Sequence, residues 1–247
     1  MATTSEARPA PQREGRPRAD DGAATALELR PMTGWEEEVV ERGGAGPNTA
    51  RLCNEILARC LVPPRAEFVA ALARVRALRV AERDVALVQL RRLSLGDHVE
   101  LELRCPACDR TSTATFSLGA LPLPAAGPGP AEVEVDLPEG RARLRVPTAG
   151  DQEELLDAGL ETKSERKTFL LARTLLRLGA AEGPFEPDVV RGLPVASRDA
   201  LEAALEAALP HLDLSMAARC PECGHGFAER LDVSAFFFSR WRGAVTG

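Results

Sequence analysis

The chain has 247 residues, of which 45% are hydrophobic and 28% charged, and a formal net charge of −6. That length suffices for one substantial core, or a core with a small satellite, and the acidity argues against nonspecific nucleic-acid binding as the main role. No apolar run approaches the roughly 20 residues of a membrane span, so no membrane insertion is expected.

Residues 1–26 carry Pro, Arg, Gly and small side chains with almost no large apolar groups. Such a composition cannot offset the entropy of ordering, which predicts a disordered tail. It also lacks the apolar stretch of a secretory signal. A reducing cytoplasm is therefore expected, where Cys-x-x-Cys pairs hold metals more often than they form disulfides.

A helical unit is predicted over 27–96. Thr33 and Glu36 form a capping box for a short helix, and GGAGPN (43–48) reads as a linker. Leu52, Ile56, Leu57, Cys60 and Leu61 then recur at helical spacing. Pro63-Pro64 ends that helix and opens another, whose stripe Phe68, Val69, Leu72 and Val75 is expected to be buried. A third helix, near 81–93, turns Val85, Leu87, Val88 and Leu90 inward.

Over 97–118 the period falls to two. Val99, Leu101 and Leu103 alternate with charged residues up to Cys105, and STATFSL returns, which predicts a hairpin with Cys105 and Cys108 at its tip. An inserted segment, 119–211, opens with a Pro/Gly linker and a second hairpin (AEVEVDL-PEG-RARLRV). A helix capped by Thr148 and Asp151 follows, then a longer helix from Ser164 through Leu178, and an amphipathic one over 197–209. The last segment, 212–247, reads as a strand into Cys220 and Cys223, a return strand (FAERLDV) and a terminal helix rich in aromatics. On that helix Phe237 and Trp241 share a face and Phe236 points elsewhere. Either it is sandwiched within the protein or one face meets a partner.

The two Cys-Pro-x-Cys strings, CPAC and CPEC, are the most informative feature. The same 115-residue offset separates Cys105 from Cys220 and Cys108 from Cys223. Two thiolates at this spacing grip one face of a tetrahedral ion and a second pair completes it, so Cys105, Cys108, Cys220 and Cys223 are read as ligands of one structural zinc. The fold expected is α+β: an N-terminal helical unit, with a central β-hairpin and helices inserted between two knuckle hairpins that form a split zinc ribbon. A closed four-thiolate site leaves the metal no open position, which predicts a protein that is not an enzyme. No nucleophile motif or phosphate-binding loop appears.

His225 is better placed as a turn residue than a ligand, and His98 and His211 have no evident partner. Cys53 and Cys60 lie on one apolar helix face and read as core. Six arginines from Arg74 to Arg92 suggest a solvated face or a docking surface for an acidic protein. They lack the aromatic interleaving of a nucleic-acid site.

The run RALRVAERDVALVQLRRLSLGDHVELELRCPACDR resembles the core motif of the T-even-type phage baseplate protein family. LRPMTGWEEEVV, VPTAGDQEELL and CPECGHGFAERLDVSAFFFSRW are similar to other segments of it, over roughly 27–243. The resemblance implies a baseplate or hub assembly protein or chaperone with hub or wedge proteins as partners and no small-molecule substrate. The resemblance also implies a link to phage-tail-like contractile injection systems, in whose bacterial gene clusters relatives with the zinc knuckles occur. Asp109 departs from the pattern, standing where a glycine more commonly follows the knuckle. The alternative is a cytoplasmic zinc-ribbon protein that contacts nucleic acid or a transcription complex, and a third reading is a zinc or thiol enzyme.

Overall fold

A computed structural model describes residues 27–43, 46, 48–62, 67–120, 130–209, 215–230 and 237. The predicted tail (1–26), the Pro/Gly linker through residue 129 and, apart from Phe237, the terminal helix lie outside the described residues. Described are helices and small antiparallel sheets, an α+β arrangement.

Four helices come first: α1 (Gly34–Gly43), α2 (Thr49–Cys60), α3 (Phe68–Arg76) and α4 (Val80–Leu95). Glu36 reaches back to the Thr33 backbone N–H and hydroxyl, both 2.9 Å away. Asn48 caps α2 by accepting from the Arg51 N–H. Leu52, Ile56, Leu57, Cys60 and Leu61 are all buried, and so is Cys53. They join Val75, Leu87, Leu90, Val99, Leu118 and Phe237 in one core. Each large side chain there contributes about 1.5–3 kcal/mol by burial. The α3 stripe departs from expectation: Ala71 and Val75 are buried, whereas Phe68 and Val69 face outward. Helical spacing shows which residues share a face, not whether another element covers it.

The hairpin β1 (His98–Arg104) and β2 (Thr111–Ser117) follows, in unbroken register from His98↔Ser117 to Arg104↔Thr111. Val99 on β1 and Leu118, just past β2, anchor it in the helical core. A second sheet has the order β3-β4-β5-β6. Its hairpin joins β3 (Glu132–Leu137) to β4 (Gly140–Arg145). Gly140 has φ 116°, and a Cβ there would lie 2.7 Å from the Gly179 Cα, so the turn admits glycine alone.

After α5 (Ala149–Asp157), α6 spans Lys163–Thr174 and is capped by Thr162 with Glu165. The helix predicted from Ser164 to Leu178 thus starts at a different cap and is shorter. Leu175–Leu178 leaves it to form β5 beside β4, with β6 (Ala181–Glu182) beyond. The leucines of LLRL satisfy either period, and pairing with β4 decides between them. Helices α7 (Pro187–Arg191) and α8 (Val195–Ala208) complete this part, and Leu144, Leu171, Leu175, Val190, Leu201 and Leu205 form its core.

α5 ties the two parts together. The Thr148–Asp151 capping box starts it as expected. Its carboxylates do more than cap: Glu153 accepts from Asn54 of α2 and pairs with Arg51 and Arg76. Asp151, 1% exposed, receives Arg145 of β4 and Arg173 of α6. Burial would raise the Asp151 pKa, but the guanidinium of Arg145, the Thr148 N–H and Arg173 outweigh it and hold the group well below the usual carboxylate range. Finally, β7 (Ser215–Arg219) and β8 (Gly226–Arg230) form a third, two-stranded sheet. No described helix is long and apolar enough to cross a membrane.

Candidate metal centre

Each knuckle sits at the tip of a two-stranded hairpin, and the two tips are built alike. In the first, the Cys105 N–H donates to the Arg110 carbonyl (2.9 Å) and the Asp109 N–H to the Cys105 carbonyl (2.9 Å). In the second, the Cys220 N–H donates to the His225 carbonyl (2.9 Å) and the Gly224 N–H to the Cys220 carbonyl (3.0 Å). The chain leaves both tips through a left-handed residue, Asp109 at φ 61° and Gly224 at φ 71°. That turn explains why glycine suits the position after the knuckle. Asp109 tolerates it as one of the few side chains that visit this region, and it pairs there with Arg104.

The tips face one another and bring together the four cysteines singled out from the sequence. Cys105 Sγ lies 3.7 Å from Cys223 Sγ and Cys108 Sγ 3.6 Å from Cys220 Sγ. All four sulfurs fall within 4.8 Å of one another, a group that could hold a metal ion. A disulfide would need about 2.05 Å. Four sulfurs around a tetrahedral ion with bonds of about 2.3 Å would be about 3.8 Å apart, so the observed edges fit that geometry. Cys105 and Cys220 are buried, Cys108 is half-buried and Cys223 exposed.

The thiols of this cluster are shifted in different directions. The Cys223 backbone N–H pulls the Cys220 thiol down to about 7. At Cys108 the Arg110 N–H acts the same way, but partial burial and the three neighbouring sulfurs outweigh it and push the thiol up to about 12. Cys223 is likewise raised, although the His225 N–H pulls it down. Backbone N–H donors favour the thiolate at Cys108, Cys220 and Cys223, whereas the neighbouring sulfurs raise Cys108 and lower Cys220; a cation at the centre would favour the thiolate at every position.

His225 is a turn residue, stacked on Phe227 with ring centroids 6.4 Å apart. His98 is exposed, and its carbonyl accepts from Arg91. His211 lies outside the described residues. The backbone donors to sulfur were not foreseen, although their places, two residues after Cys108 and Cys223, follow from the knuckle spacing.

The family model described as T4 bacteriophage base plate protein matches residues 20–176. The chain belongs to this family. The match takes in the α1–α4 unit of the base plate protein family, the first knuckle hairpin and α5, and ends before Cys220 and Cys223. No curated protein and no solved structure matches the chain. Base plate membership supports a role with other base plate proteins, and the cysteine cluster is compatible with a bound metal.

Proposed function

We propose that this protein is a non-enzymatic assembly protein or chaperone for the baseplate of a contractile phage tail or phage-tail-like contractile injection system. It acts in the cytoplasm on hub or wedge proteins. The family match over the helical unit and first knuckle is the observation that carries the reading. Cys105, Cys108, Cys220 and Cys223 hold zinc, which neutralises the thiolates and joins two hairpins distant in the chain as a split zinc ribbon. Four thiolates saturate a tetrahedral ion, which supports a structural site and a protein without catalysis.

The arginine stretch supports a protein partner over nucleic acid, because most of it is engaged internally. Arg76 pairs with Glu153 and Glu154, Arg79 with Glu82, Arg83 with Asp84 and Arg92 with Asp97. Arg91 is buried and donates to the His98 carbonyl.

Electron microscopy of sheathed particles from a strain lacking the gene tests the reading. Missing or malformed baseplates and sheaths are expected, and mass spectrometry of wild-type particles then separates component from chaperone. Intact contractile particles at normal yield would overturn it.

A further inference from the structure

Three large apolar side chains stand out on the surface of α1 and α3. Trp35 is 76% exposed, Val69 73% and Phe68 41%. Trp35 and Phe68 line one groove of about 390 Å³, with Leu61 among the apolar residues between them and Arg30, Arg59 and Arg74 around it. Glu36 is the one acid among the lining residues. It is 2% exposed, and its oxygens accept from Arg30 and Thr33.

The arginines are less fully used. Arg59 lies over the Phe68 ring, 4.9 Å from the centroid, and gives Nε and Nη2 to Glu55. Its Nη1 is in no hydrogen bond with a described residue. Arg74 is exposed and pairs with no acid among the described residues. Of the six arginines between Arg74 and Arg92, it is the one that reaches this groove. An apolar, aromatic cleft edged by the Arg74 guanidinium and the Nη1 of Arg59 thus stands on a chain whose net charge is −6.

We propose that this groove docks an acidic segment of a partner baseplate protein, an apolar side chain resting against Trp35 and Phe68 and a neighbouring carboxylate on Arg74 and Arg59. The proposal rests on the assembly reading, from which it takes the partner's class. Charge complementarity selects the occupant: a basic segment would meet Arg59 and Arg74, while a carboxylate meets planar donors suited to it. Trp and Arg are also the side chains that most often dominate binding energy at interfaces.

The test uses the full-length protein and a short fluorescein-labelled peptide with Phe and Leu at i, i+4 between glutamates, alongside a counterpart with lysine flanks. Anisotropy titrations should show saturable binding of the acidic peptide, and the lysine peptide should bind at least about tenfold more weakly. Trp35→Ala and Arg74→Glu should each weaken the acidic peptide at least about tenfold. Both sites are exposed, so the variants should melt within a few degrees of wild type. Equal binding of the two peptides, no binding of either, or variants that bind like wild type would overturn the proposal.

Particle yield separates this failure from that of the assembly reading. Strains carrying Trp35→Ala with Arg74→Glu as the sole copy should lose sheathed particles. If they assemble normally while the deletion strain does not, the groove proposal fails and the assembly reading survives. If the deletion strain also assembles normally, both fail.

Discussion

Asp151→Asn isolates the charge that joins the two parts of the fold. The carboxylate accepts from Arg145 Nη2 at 2.8 Å, Arg173 Nε at 2.9 Å, the Thr148 N–H at 2.8 Å and the Thr148 hydroxyl at 3.0 Å. Asparagine keeps the volume but has one acceptor oxygen and no charge. Removing one partner of a buried ion pair costs about 3–5 kcal/mol. Because Arg145 and Arg173 are 30% and 36% exposed and can turn to water, we expect a somewhat smaller loss, about 2–4 kcal/mol. For a protein of this size that lowers Tm by about 4–16 °C. Urea and thermal unfolding of the full-length protein at neutral pH measure it.

The pH dependence gives a second readout of the same variant. The folded pKa of Asp151 lies below its unfolded value of about 3.9, so its stabilisation is fully present above that value and fades as pH falls through the folded pKa. The gap between wild type and variant should therefore narrow below about pH 4. A loss under about 0.5 kcal/mol at neutral pH, typical of a surface change, or a gap that stays constant on acidification, would show that the Asp151 charge does not hold the two parts of the fold together.

Two further substitutions test the packing and the knuckle. Phe237→Ala, at a fully buried position in the helical core, should cost about 3–5 kcal/mol in urea unfolding; a cost under about 1 kcal/mol would mean that Phe237 does not close this core. Asp109→Gly relieves a left-handed residue but removes an exposed pair with Arg104, so stability should rise by up to about 1 kcal/mol. A loss larger than about 1 kcal/mol would show that the Arg104 pair contributes more than exposed pairs usually do.

What could be read from the sequence was local. The spacing within each knuckle and their shared offset identified the four cysteines, and alternation identified the strands that carry them. The cap at Thr148 was equally plain, because its partner lies three residues on. Long-range features were hidden. Nothing in AGDQEELLD signals that Glu153 meets Arg51 and Arg76, since those partners lie in other helices. Nor does the stripe of α3 say that Phe68 and Val69 stay largely exposed. The arginine stretch looked like one surface, but Arg76, Arg79, Arg83 and Arg92 divide among separate carboxylates and Arg91 turns to the His98 carbonyl. The helix drawn through Leu178 failed for the same reason: β4 supplies the pairing that turns Leu175–Leu178 into a strand.

The two knuckles are expected to share one ion. Elemental analysis of the full-length protein, purified without added metal, measures it. One zinc per chain is expected, and Cys220→Ser should lose it together with much of the cooperative unfolding transition. A folded wild-type protein without metal, or a Cys220→Ser variant that stays folded with its full metal content, would contradict it.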